Sequence, residues 1–308
     1  MGKRRGGWLD GAVWAVHIYF ILIASRVRSQ MQYKVSFVAD LLGNMIGTGV
    51  DFAALALIFG HVRAVAGWDL AEVAILYGLT TLSFACAELI GAGFDEFPKF
   101  VRQGRFDTLM VRPVGVFSQV LANDFVLKRL GRLAQGLAVM VVAIEAKGLH
   151  LAPWQWAVMV GAVACGTLCY MALFMVQAAS CFWTVESLEA FNLLTYGGSE
   201  MITWPVDIYP VWLRRFFTFV VPLVFINYLP ARLILGKGAG VAGGGLTGAG
   251  SVATAAAATP TIATAATTTA TTLAPWTGWL APLVGVVVFL LARRVWDFGV
   301  RHYQSTGS

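Results

Sequence analysis

Charged side chains are scarce in this chain. Asp, Glu, Lys and Arg make up 12% of its 308 residues, about half the share usual in a soluble domain, and the mean hydropathy is +0.73. That shortage excludes a water-soluble globule. Cysteine is sparse too: Cys86, Cys165, Cys169 and Cys181 all lie inside apolar runs. They form neither a disulfide framework nor the paired spacing of a zinc site, and read as small buried hydrophobes. The four histidines, His17, His61, His150 and His302, are too scattered to suggest a metal centre. No G-x-x-x-x-G-K-[ST] phosphate loop is present, so the chain does not itself bind ATP in that manner. H-E-x-x-H and G-x-S-x-G are missing as well, which leaves no metal or nucleophile for an intramembrane hydrolase. An internal repeat is also lacking, which weakens a reading as a transporter built from two related halves.

What the chain has in quantity is apolar length, with 58% hydrophobic residues. A bilayer core about 30 Å thick needs roughly 20 such residues in a helix. Plain candidates are 37–60, with Asp40 and Asp51; 73–94, with Glu88; 133–152, with Glu145 and Lys147; and 148–185, free of charge up to Val185 and flanked by Trp154, Trp156 and Trp183. Two more follow at 216–235 and 273–292, while 186–215 is ambiguous. The short apolar stretch 12–24 follows Lys3, Arg4 and Arg5 like a secretion signal, but no small-x-small cleavage site comes after it. Its length suits a helix lying in the cytoplasmic interface.

The net charge of +6 marks topology rather than a nucleic-acid partner, because Lys and Arg beside spans stay on the cytoplasmic side. Sixteen of the 22 basic residues fall before the first span, between the second and third, or after the last. Both termini are therefore expected in the cytoplasm, with an even number of crossings, counted as six. Arg214 and Arg215 have no clear side. The fold expected is all-α and polytopic: 1–34 a cytoplasmic N-terminus with an interfacial elbow helix, 35–235 a transmembrane core, 236–275 a low-complexity extracytoplasmic insertion, and 276–308 the last span and tail. The insertion is nearly all Gly, Ala, Thr and Val, too poor in bulky side chains to build a core.

Two features bear on function. Asp51 and Glu88 sit inside apolar spans, where a carboxylate costs several kcal/mol unless paired or wetted. They read either as a polar patch lining a translocation path or as helix–helix pairs, with water reaching Glu88 from the cytoplasm as a further option. Glu145, two residues from Lys147, reads mainly as a helix–helix pair. The second feature is the cytoplasmic loop 95–132, far longer than a linker needs. Its Phe97, Phe100, Val101, Phe106, Leu109 and Met110 recur at amphipathic spacing, and Pro113 stops a short helix opening near Asp107. The loop is expected either to rest on lipid headgroups or to dock a cytoplasmic partner.

The blocks "MQYKVSFVADLLGNMIGTGVDF", "FDEFPKFVRQGRFDTLMVRPV" and "FWTVESLEAFNLLTYGGSEMITWPVDIYPVWLRRFFTFVVPLVFINYLPA" resemble the permease subunits of type-2 ABC exporters (ABC-2), in an uncharacterised bacterial branch. The likeness runs from residue 31 to the end, apart from the insertion. It implies six spans with both ends inside, in the bacterial inner (cell) membrane. It also implies pairing with a second permease, as homo- or heterodimer, and a separate ABC ATPase that carries ATP and Mg. No cofactor is expected on this chain, which is not an enzyme by itself. By analogy Gly104, Arg105, Asp107, Arg112 and Pro113 form the element that couples to the ATPase. The resemblance places the fifth span near 184–204, followed by a re-entrant extracytoplasmic hairpin, whereas the basic-residue rule prefers 216–235. The function implied is an ATP-driven export permease; the alternative is an ion-coupled transporter or scaffold using Asp51 and Glu88 without an ATPase.

Overall fold

The computed structural model describes residues 21, 23–25, 27–112, 115–123, 127–184, 188–237 and 275–303. These residues are helical, with no strand among them. Most of the expected interfacial helix at 12–24, Pro113, and the insertion apart from 236, 237 and 275 lie outside them.

Helix α1 is Lys34–His61 and α2 is Leu70–Asp95. Helix α2 starts where its sequence dictates: the Glu72 amide donates to the Asp69 carboxylate at 2.9 Å and the Asp69 amide to that of Glu72 at 3.0 Å, a reciprocal cap. The loop after α2 folds into α3 (Phe97–Arg102), α4 (Arg105–Met110) and α5 (Val116–Asn123). Gly104 joins α3 to α4 with φ of +64°, a left-handed conformation that glycine adopts without strain. Helix α6 is Leu130–Ala146 and α7 is Pro153–Ser180. Next come α8 (Leu188–Asn192), a π-helical turn at Leu193–Gly197, and α9 (Gly198–Ile202). Short helices α10 (Val211–Arg215) and α11 (Tyr228–Ile234) precede α12 (Ala281–His302).

Among the described residues, four helical segments are long and apolar enough to cross a membrane: Lys34–His61, Leu70–Arg102, Pro153–Ser180 and Trp276–His302. A bent pair, Val211–Val220 and Leu223–Ile234, makes a fifth only if taken as one span. The count of six is therefore not reached by length and composition. The expected span 133–152 is a 17-residue helix ending at Ala146, because the chain turns at Gly148 with φ of +62°. The expected span 216–235 is not one helix either. It breaks at Val221 and Pro222, with 79° between its halves, since proline has no N–H to continue the ladder.

Contacts show where that broken segment goes. At one end of the bundle the Trp68 indole donates to Asp207 at 3.2 Å, the Tyr228 hydroxyl donates to Asp207 at 2.6 Å, and the Lys237 ammonium pairs with Glu72. Between these points the chain dips to the middle of α2 and α7, where Ile226 lies against Gly166 and Ser83. The segment thus leaves and returns at the same end, as a re-entrant hairpin. Buried Asn227 pins it, donating to the Thr80 hydroxyl at 2.8 Å and to the Ile202 carbonyl.

The bundle core is held by small residues rather than by hydrophobic transfer, which supplies no drive between helices already in lipid. A Cβ added at Gly166 would stand 2.4 Å from Ser83 Cβ, and one at Gly285 only 2.8 Å from Cys165 Cα. By contrast α1 leaves Ile46, Val50 and Leu57 more than 60% exposed.

Candidate functional site

Polar side chains from four elements converge on a cavity of about 70 Å³, lined by Thr48 and Asp51 of α1, Tyr77, Thr80, Thr81 and Phe84 of α2, Arg132 of α6, and Tyr196, Ser199, Glu200 and Thr203 of the α8–α9 segment. Each stripe follows helical spacing: 77, 80, 81 and 84 share one face of α2, and 196, 199, 200 and 203 share one face of their segment. The π turn at Leu193–Gly197 carries Tyr196 into this row, a distortion that recurs at functional sites. The Tyr77 hydroxyl donates to the Thr48 carbonyl at 3.1 Å and so ties α1 to α2.

Asp51 is on this wall, open in the single chain. Glu88 is not. It is mostly buried, and its carboxylate accepts from Arg132 Nη1 at 2.8 Å while its carbonyl accepts from Arg129 at 2.8 Å. The two acids considered together from sequence are therefore separated in place: Glu88 pairs with Arg132, and Arg132 reaches the cavity, with its guanidinium 5.3 Å from the Phe84 ring centroid. Glu200, within electrostatic reach of Asp51 and Arg132, is the acid that sequence reasoning passed over. Its signal was there, in the i, i+3, i+4, i+7 spacing of Tyr196, Ser199, Glu200 and Thr203.

The second region is the 95–132 loop. Part of its apolar face turns inward: Phe97 and Phe106 are fully buried and Leu109 nearly so, whereas Met110 and Val111 are exposed. Phe97 and Phe106 form an edge-to-face aromatic cluster with Phe182, Trp296 and Tyr303, at centroid distances from 4.8 to 5.5 Å. Helix α4 opens at Arg105, after Gly104 and earlier than Asp107. Arg102, Arg105 and Arg112 are exposed, and the Arg105 guanidinium lies 4.6 Å from the Phe100 centroid. Asp107 hydrogen-bonds Tyr303, and burial together with that carboxylate holds the Tyr303 phenol above its usual range. Gly104, Arg105, Asp107 and Arg112 are thus one surface element around α4. Beside it, Asp95, Glu96, Pro98, Lys99, Arg102, Gln177, Asn192 and Tyr196 line a pocket of about 280 Å³.

At the opposite end Lys147 pairs with Asp69 and, at 3.2 Å, with Glu72, rather than with Glu145. Burial tends to raise the Asp69 carboxyl, but the hydrogen bonds from Lys147 and the Glu72 amide outweigh it, and the group lies below its usual value. The Asp69 hydrogen bond raises Lys147.

Among the described residues, an all-helical bundle with four membrane-length helices, a bent fifth pair and a polar cavity within its span is the architecture of a multi-pass membrane protein. A family model described as ABC-2 family transporter protein matches residues 45–307, and the chain belongs to that family. No curated protein and no solved structure matches the chain. Membership makes it the membrane part of an ABC transporter, a class that associates with an ABC ATPase subunit.

Proposed function

We propose that this chain is the non-catalytic permease of an ATP-driven exporter, that it pairs with a second permease, and that a separate ATPase presses on the 95–132 loop. The count proposed is six passes, with the fifth near 184–204 and both termini cytoplasmic, in the inner membrane. The segments 1–34, 35–235, 236–275 and 276–308 keep the roles expected of them, and lipid surrounds the exposed face of α1.

The observation that carries this reading is the burial of Phe97 and Phe106 among Phe182, Trp296 and Tyr303. Force applied to exposed Arg105 and its neighbours passes through these rings to the ends of α7 and α12. A loop resting on headgroups has no need of such a wedge. ATP and Mg would reside on the partner. The cavity at Asp51 and Glu200 is the natural start of the translocation path, with Glu88 holding Arg132 in place.

Co-purification from mild detergent tests the reading. A P-loop ATPase retained by the wild-type chain and lost from Arg105→Ala/Asp107→Ala supports it. Transport driven by a proton gradient without nucleotide sinks it in favour of an ion-coupled carrier.

A further inference from the structure

Resting on the permease reading, we propose that the cavity between Asp51 and Glu200 is a headgroup site for a cationic amphiphile. An ammonium group is held between the two carboxylates while the apolar tail lies along α1.

Charge sets the sign of the ligand. The lining carries Asp51, Glu200 and Arg132, and Arg132 is engaged by Glu88 at 2.8 Å. Two acids face one base across the lining, and Glu88 offsets part of the charge of that base, so the cavity is net acidic. An anionic headgroup is repelled. Aromatic rings set the kind of cation: Tyr77, Phe84 and Tyr196 line the same space, and ring faces attract alkylammonium groups. Arg132 over Phe84 already shows a cation accommodated against this wall.

Size and position set the rest. A cavity of about 70 Å³ takes an ammonium group with its adjoining methylenes and leaves a long tail outside. Beside it the exposed apolar side chains of Ile46 and Val50 on α1 offer that tail a path. Asp51 lies ten residues before the end of α1 at His61, about 15 Å along the helix. A carboxylate at such depth is costly unless a counter-charge joins it, and the ligand supplies one.

The ammonium group has two possible sources, a foreign amphiphile or a phospholipid headgroup. Binding of the fluorescent probe trimethylammonium-diphenylhexatriene to the full chain in nanodiscs tests both. One set of discs is made of a neutral galactolipid and the other of phosphatidylcholine, and the propionate analogue of the probe is the control. The proposal expects saturable binding of the cationic probe alone, weakened about tenfold in Asp51→Asn and further in Asp51→Asn/Glu200→Gln. Equal affinity in both lipids identifies a foreign amphiphile; loss of the saturable phase in phosphatidylcholine identifies the lipid headgroup. Matching isotherms for cationic and anionic probes overturn the proposal. So does unchanged affinity in the double variant, including the case where that variant separates permease dimers, which would make the acids subunit contacts. Asp51 is exposed in the single chain, so its single variant is expected to fold and keeps the test valid if the double variant misfolds. No nucleotide or ATPase is needed, so failure here with ATPase co-purification intact rejects the ligand and leaves the permease reading standing.

Discussion

Arg132 Nη1 lies 2.8 Å from Glu88 Oε2, with 28% and 13% of the two side chains exposed. The pair joins the start of α6 to the lower part of α2 and fixes the guanidinium over Phe84. Removing one partner leaves a largely buried charge alone. Glu88→Ala is expected to destabilise the chain by about 2–4 kcal/mol, read as a lowered melting temperature in detergent. Glu88→Gln, which keeps an acceptor for Arg132, should lose less. Equal losses for the two variants would show that the neutral acceptor contributes nothing, and unchanged melting in both would show that the contact is irrelevant.

Close approach of α7 and α12 depends on Gly285, where an added Cβ meets backbone, 2.8 Å from Cys165 Cα and 3.0 Å from its carbonyl oxygen. Backbone cannot rotate aside as a side chain can. Gly285→Ala should cost about 1–3 kcal/mol by overpacking, and Gly285→Leu should abolish monodisperse protein in size-exclusion chromatography. Gly43→Ala, with nothing within 4 Å of the new atom, is the control and should melt as the wild type does.

Stability should plateau across neutral pH because of Lys147 and Asp69. The Asp69 carboxyl is depressed on folding, so its contribution is present above the unfolded value and is lost as pH falls through the folded one. Lys147 is raised, so its contribution is full below the unfolded value and is lost as pH rises through the folded one. Lys147→Gln should flatten both shoulders of the melting profile against pH. A profile identical to wild type would mean that the clasp does not contribute.

Phe106 separates docking from transmission. Phe106→Leu leaves the exposed arginines in place but loosens the wedge against Phe97, Phe182 and Tyr303. The ATPase should still co-purify while nucleotide-driven transport falls several-fold. Loss of the ATPase instead would make the ring part of the docking surface.

Much of this was legible in the sequence, for physical reasons. Helices α1, α2, α7 and α12 announce themselves because apolar length is all that a span requires. The Asp69 cap and the break at Pro222 are local signals, yet apolar length alone makes 216–235 read as one span. The 188–202 passage is harder, since Glu186, Glu189 and Glu200 lower its hydropathy, and Glu200 is there to face a cavity rather than lipid. The inward aim of Phe97 and Phe106 was hidden, because amphipathic spacing states that a face is apolar without naming what covers it. The partners of Glu88 and Lys147 were hidden too: Arg132 and Asp69 are 44 and 78 residues away, beyond any pattern that reads along the chain. Sequence spacing pointed instead to Glu145 for Lys147. The stripe Tyr77, Thr80, Thr81, Phe84 was readable and marks one wall of the cavity.

The account stands on the side of the membrane where α4 lies. A cysteine introduced at Arg105, probed in intact cells with a membrane-impermeant maleimide, should stay unlabelled until the membrane is permeabilised, because the loop must face the nucleotide. Labelling in intact cells would place α4 on the outer surface, out of reach of any ATPase, and contradict the mechanism.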